Sequence, residues 1–303
     1  MKKPTNIAAS VRARLLNRAK ADDRPFQEML QYYAMERFLY RLSRSEHASR
    51  FVLKGALMLQ FWGGPVTRST KDIDLLGETS TSVDDLVAVM RACCDVDVHD
   101  DGVAFDAASM AGEEIRFDAI YDGVRIRGLC TLAGARVTFQ VDVGFGDVIT
   151  PGAVTVTYPT LLEFDAPELL GYTPETVVAE KLQAMVALDM ANTRLKDFLD
   201  IWVLAQGRDF DGAVLAEAIR ATFERRRTPL PDATPIALTP AFHSAEAKQA
   251  QWIAYTRKAR VQGEMPSLDE VAEHIAAFVM PVIAALVAGE QFDPRWSAGG
   301  PWK

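Results

Sequence analysis

Asp72 and Asp74 stand two residues apart in the run Arg68-Ser-Thr-Lys-Asp-Ile-Asp-Leu-Leu-Gly77. Side chains two apart in a strand share a face, so the two carboxylates project together while Ile73 and Leu75 point into the core. Two unit charges about 4 Å apart repel by roughly 4 kcal/mol at an effective dielectric near 20. A divalent cation removes that repulsion, and carboxylate oxygens are the hard ligands that Mg²⁺ takes. On D-x-D alone, two solvated aspartates on an exposed strand are the commoner reading. A third carboxylate shifts the balance. In the run from Arg136 to Asp147, Phe139, Val141 and Val143 form one face, and Thr138, Gln140 and Asp142 form the other. Asp142, on the polar face of a second strand, completes a set suited to two metal ions. Such a pair activates an attacking hydroxyl and neutralises a departing pyrophosphate. Asp147, after Gly144 and Gly146, reads as a turn residue.

Three further groups are candidates. Lys54-Gly55-Ala56 opens an expected helix over Leu53 to Phe61. Small residues there let backbone N–H groups approach a phosphate, and a helix N-terminus attracts its charge. Thr173-Pro174 opens another helix, with a Thr cap and Pro in the first turn. On it, Lys181 falls inside the apolar arc of Val177, Val178, Leu182, Met185 and Leu188. A lysine so placed either snorkels, with only its stem buried, or reaches a triphosphate or a carboxylate. The next helix, from Asn192 to Trp202, has Leu195, Phe198, Leu199 and Trp202 as its core stripe. Asp197 and Asp200 are i, i+3 neighbours away from that stripe, flanked by Arg194 and Lys196. They form either a solvated face or a cluster that pairs Lys181, faces the first lobe and shapes a nucleotide site.

Elements that would position these groups follow from periodicity. Helical spacing covers residues 7–47, broken at Asp22-Asp23-Arg24-Pro25, and again residues 82–95. Residues 70–76 read as a strand closed by Gly77, and residues 100–158 alternate as strands. From Pro159 to the end the pattern is helical. The order is therefore helical arm (1–50), α/β core (51–160) and helical tail (161–303).

Composition narrows the class. Hydrophobic residues make up 49% and charged residues 24% of 303 residues, which suits a globular chain and excludes disorder or a disulfide scaffold. Three cysteines, Cys93, Cys94 and Cys130, suit a reducing compartment. The four histidines are not at zinc-ligand spacing to them. The start lacks a signal-peptide core, and Glu273, His274 and Pro281 interrupt the most apolar stretch, Val271–Ala288. A cytoplasmic protein with no membrane span is expected. Net charge is −8, yet residues 1–50 carry eleven basic against five acidic side chains. That surplus of six is either a solvated face or a polyanion contact.

Taken in order, Phe51-Val-Leu-Lys-Gly-Ala56, Arg68-x-Thr-x-Asp-x-Asp-Leu-Leu-Gly77, Gln140-Val-Asp-Val-Gly-Phe-Gly-Asp147, Val178-Ala-Glu-Lys181 and Asn192-Thr-Arg-Leu-Lys-Asp-Phe-Leu-Asp-Ile-Trp202 resemble the AbiEii/AbiGii toxin family, including the MenT-type toxins. This family lies within the polymerase-β-like nucleotidyltransferase superfamily. The resemblance covers roughly residues 8–205. It implies an α+β fold: a nucleotidyltransferase core of mixed sheet and helices, a helical N-terminal arm and a helical C-terminal lobe. It implies Asp72, Asp74 and Asp142 as metal ligands for two Mg²⁺ ions and, with Lys181 and Asp197, as catalytic residues. It implies an NTP held by Lys54, Gly55, Ala56, Arg68, Ser69, Thr70, Lys181 and Asp200. The family's hydroxyl-bearing helix start is Gly55-Ala56-Leu57 here, which leaves phosphate gripping to backbone N–H groups, Ser69 or Thr70.

The resemblance further implies a toxin made with a separate, DNA-binding antitoxin. It would transfer nucleotides from an NTP to RNA, in the studied cases tRNA 3′ ends, and so block translation. The basic arm and Arg225-Arg226-Arg227 would then contact phosphates. Transfer to a small molecule or a protein hydroxyl would use the same aspartates. A catalytically idle binding module and a metal-dependent nuclease complete the alternatives.

Overall fold

The computed structural model describes residues 6–63, 69–116, 122–259 and 265–303. The chain forms two compact units. The first comprises Met1–Leu57, Thr70–Gly146 and Val154–Gly171; the second comprises Met58–Ser69, Asp147–Ala153 and Tyr172–Lys303.

The first unit is built on a seven-stranded mixed sheet. Its strands are β1 (Phe51–Lys54), β2 (Ile73–Gly77), β3 (Val103–Arg116), β4 (Asp122–Leu132), β5 (Ala135–Phe145), β6 (Val154–Thr157) and β7 (Glu168–Gly171), in the order β3-β4-β5-β2-β1-β7-β6. β2 runs parallel to β5 and β1 parallel to β7; the other pairs are antiparallel. Its helices include α1 (Ile7–Ala21) and α2 (Phe26–Arg44); α3 (Ala56–Trp62) and α4 (Val83–Cys94) follow in the chain.

The N-terminal helices pack on this sheet. Val11 and Leu15 of α1, with Leu30, Tyr33 and Ala34 of α2, share a core with Val103, Cys130, Leu132 and Val137. Phe38 meets Phe105 and Phe139, with ring centroids 5.9 and 5.0 Å away. Arg41 makes a bidentate pair with Asp101 at 2.7 and 3.1 Å, both buried. The fork geometry and full desolvation of that pair pin α2 to the segment entering β3.

Two element expectations are corrected. The helix expected over Leu53 to Phe61 begins only at Ala56, because Leu53 and Lys54 belong to the strand Phe51–Lys54. β1 lies between β2 and β7, so Phe51, Val52 and Leu53 are all buried. A central strand of this kind reads as a continuous apolar run, which periodicity cannot separate from a short helix. The chain after Pro159 is likewise not wholly helical, because Glu168–Gly171 pairs with β1 and β6. Four residues carry too little alternation to stand out.

The second unit is mostly helical: α5 (Pro174–Leu188), α6 (Leu195–Gly207), α7 (Gly212–Arg225), α8 (Pro240–His243), α9 (Glu246–Ala259) and α10 (Leu268–Ala288), with a small ladder of β8 (Phe210–Asp211) and β9 (Arg295–Trp296). Side-chain caps set several starts. Thr173 accepts from the Thr176 N–H, Asp211 from Ala213 and Val214, and Ser267 forms a capping box with Glu270. Gly289 ends α10 in the left-handed conformation.

Among the described residues, α10 is the one helix long and apolar enough to cross a membrane. Its stripe of Leu268, Val271, Ala272, Ile275, Phe278, Val279, Val282 and Ile283 is buried in the second unit, where Trp302 stacks on Phe278. The i, i+3, i+4, i+7 spacing of that stripe accounts for the apolarity as core.

Candidate functional site

In the first unit, Asp74 lies within β2 and Asp72 just before it, both half-buried, while Ile73 and Leu75 between them are 0% and 1% exposed. The two-residue alternation is realised. Asp142 of β5 is the direct register partner of Asp74 across the parallel pair. One carboxylate oxygen from each of Asp72, Asp74 and Asp142 lies within 4.8 Å of the others. Three hard anionic donors at that spacing fit a divalent cation such as Mg²⁺. Thr70 orients the first of them. Its hydroxyl donates to Asp72 Oδ1 at 2.5 Å, and its N–H donates to the Tyr32 hydroxyl at 2.7 Å.

Strand register extends the site into a row. Lys54 is opposite Asp74, Asp74 opposite Asp142, Asp142 opposite Arg125, and Arg125 opposite Glu113, across β1, β2, β5, β4 and β3. Register partners project on the same side of a sheet, so these charges form one line. Asp142 is 3% exposed, and a buried carboxylate requires compensation. Arg125 supplies it, with Nε donating to Oδ1 at 2.9 Å and Nη2 to Oδ2 at 2.7 Å. The hydrogen bonds to Asp142 raise the pKa of Arg125 further. Gln140 Nε2 also donates to Asp142 Oδ2, at 3.2 Å. Gln140 is itself steered by Arg127, which pairs with Glu113 at 2.8 Å.

Gly55 turns the chain from β1 into α3 with φ of +71°. A Cβ there would run into the Asp74 carboxylate. Glycine is therefore required twice, for the left-handed backbone and for the space Asp74 occupies. α3 is only seven residues long and begins at the buried Ala56. Ser69 is half-buried. Arg68 lies outside the described residues.

In the second unit, Lys181 is 14% exposed, and its ammonium pairs with Asp197 Oδ1 at 2.6 Å and Asp200 Oδ2 at 2.8 Å. Arg194 Nε meets Asp197 Oδ2 at 2.8 Å. The two aspartates are 1% and 2% exposed, so neither a solvated face nor a snorkelling lysine describes this helix pair. The lysine in the apolar arc is there because two buried carboxylates on α6 meet it.

One sequence reading changes. Arg226 is not a free phosphate contact. It is 11% exposed and pairs with Asp147 at 3.0 Å and Glu180 at 3.3 Å, while donating to Gln183 at 2.9 Å. Asp147, in the loop after β5, is correspondingly an ion-pair partner whose side chain is 3% exposed. Only Arg225 and Arg227 of that cluster are exposed. Sequence reasoning also missed Arg125 and Gln140. Gln140 was visible two residues from Asp142 on the same face, whereas Arg125 is recognised only once β4 and β5 are in register.

A protein-family model described as "Nucleotidyl transferase AbiEii toxin, Type IV TA system" matches residues 37–274. Among solved structures, JHP933 from Helicobacter pylori aligns over 87% of this chain and 94% of its own, at 12% identity and a TM-score of 0.46. A second structure, described as a "putative nucleotidyltransferase from H. pylori", aligns over 88% and 99%, at 14% identity and a TM-score of 0.46. No curated protein matches the chain.

Proposed function

Because the chain belongs to the AbiEii family of nucleotidyltransferase toxins of type IV toxin–antitoxin systems, we propose that it is a Mg²⁺-dependent enzyme that moves nucleotides from an NTP to an RNA hydroxyl, with tRNA 3′ ends as acceptors. The observation that carries the reading is the convergence of Asp72, Asp74 and Asp142, one oxygen of each within 4.8 Å of the others. These three carboxylates would hold the metal, which when bound supplies Lewis acidity toward the attacking hydroxyl and the departing pyrophosphate.

The remaining work falls to the chain. Thr70 fixes Asp72, register fixes Asp74 against Asp142, and Gly55 leaves the room that Asp74 needs. Lys54, Gly55, Ala56, Arg68, Ser69 and Thr70 are assigned to the nucleotide. In the second unit, the same reading assigns Lys181 to the nucleotide's phosphates, with Asp197 and Asp200 holding its ammonium in place. In the transfer, the acceptor oxygen bonds to the α-phosphorus as the bond to the β-phosphate oxygen breaks. Pyrophosphate leaves with the electron pair, and the hydroxyl proton passes to water.

RNA is favoured as acceptor by exposed cations on α1. Arg12 and Lys20 are exposed, and Arg18 is half exposed although it pairs with Asp22. Blocked translation in the cytoplasm, relieved by a separate antitoxin with a DNA-binding domain, completes the proposal.

The test incubates the full chain with Mg²⁺, each α-labelled NTP in turn, and total tRNA. Label in tRNA with one or two of the four NTPs is expected. Label in the protein itself, or shortened RNA without label, would overturn the reading in favour of protein transfer or nuclease action.

A further inference from the structure

Little of the Asp142 carboxylate remains available to a ligand. A carboxylate has about four acceptor positions, two on each oxygen. Oδ2 accepts from Arg125 Nη2 and from Gln140 Nε2, which fills it; Oδ1 accepts from Arg125 Nε and keeps one position. The guanidinium also sets a full positive charge beside the triad, in a fork held by register with β5. We propose that Arg125 is a positioning residue and built-in counter-cation. It restricts Asp142 to one ligating lone pair, on Oδ1, and holds down the affinity of the triad for a bare divalent cation. A metal then binds well only when a nucleotide's phosphates add negative charge. The inference rests on reading the triad as a cation site.

The test is Mn²⁺ binding to the full chain, followed by electron paramagnetic resonance without nucleotide. A unit charge about 6 Å from a dication opposes its binding by about tenfold even at the dielectric of water. Arg125→Gln should therefore tighten Mn²⁺ binding about tenfold or more. Arg125→Lys, which keeps the charge, should stay near the parent chain. In an Asp142→Asn background the through-space charge remains, so Arg125→Gln should still tighten Mn²⁺ binding, but by less than in the parent chain, because the carboxylate whose lone pairs Arg125 occupies is gone. Unchanged or weaker Mn²⁺ binding in Arg125→Gln overturns the proposal. So does equal tightening in Arg125→Lys, or an undiminished effect with Asp142→Asn.

Thermal unfolding of each variant checks the fold. If Arg125→Gln does not fold, Gln140→Ala takes its place. It frees one acceptor position on Oδ2 and should tighten Mn²⁺ modestly, whereas no change overturns the idea. Metal affinity is read apart from transfer. A chain that moves no nucleotide yet shows this pattern retains the role of Arg125, and an active chain without the pattern loses it.

Discussion

Gly55 and Asp74 compete for one space: a single methyl group on Gly55 would sit where the Asp74 carboxylate lies. The turn between β1 and α3 and the second acidic residue of the triad are thus one structural unit, although they stand 19 positions apart in sequence. The glycine is explained by its neighbour across the ladder, where Lys54 and Asp74 are in register.

Gly55→Ala should consequently do two things. A residue with a Cβ at φ of +71° costs about 1–3 kcal/mol, so the chain should melt several degrees lower. Displacement of Asp74 should also weaken Mn²⁺ binding at least as much as it weakens the fold. Normal Mn²⁺ affinity in Gly55→Ala would show that Asp74 is not tied to the turn.

Lys181 carries a structural load beside its proposed catalytic one. Replacing it with Met removes the ammonium from two buried carboxylates, Asp197 and Asp200, and breaking a buried ion pair from one side costs about 3–5 kcal/mol. Urea unfolding should show a loss of that order. Lys181→Arg should recover part of the stability but little transfer, because the guanidinium cannot reproduce the ammonium geometry. A Met variant as stable as the parent would contradict the burial of the pair.

The arginine cluster separates by role. Arg226→Ala removes a cation paired with both Asp147 and Glu180 and should destabilise the second unit by about 3 kcal/mol. Arg225→Ala with Arg227→Ala should leave stability nearly unchanged. If those two contact phosphate, the slope of log K for RNA against log salt should fall by about 0.7–0.9 per contact. Equal melting of both sets of variants would refute the division.

Glu36 gives the first unit a pH signature. Burial pushes its carboxyl up to about 7, against partial opposition from Arg37 and the Leu161 N–H. Its protonated form is favoured in the fold, so its contribution is fully present below about 4.5, the unfolded value, and is lost as pH rises to about 7. Glu36→Gln should flatten stability across that window in urea titrations at several pH values. An unaltered slope would mean that other groups set it.

The ease with which these features could be read from sequence tracked their range. Asp72, Asp74 and Asp142 were legible because strand alternation is local, and Lys181 because a helical wheel places it among apolar residues. The bond from Arg125 to Asp142 was not, since it spans 17 residues and depends on the register of β4 with β5. Gly55 looked like a phosphate-binding glycine, and its steric reason emerged only with Asp74 placed beside it. The Phe51–Lys54 strand was hidden by being central, and the Arg226 ion pair by the distance of Asp147 in sequence. In each case the missing quantity was a long-range pairing that composition and periodicity do not encode.

The central claim is that the triad on the sheet carries nucleotidyl transfer. The direct measurement is the rate of α-labelled NTP incorporation into tRNA by Asp74→Asn beside the parent chain, each at matched folding as judged by melting. The claim predicts a fall of at least about a thousandfold, the scale of removing one essential catalytic charge, with the melting temperature unchanged or raised because a like-charge contact is relieved. Incorporation by folded Asp74→Asn at the parent rate would contradict it.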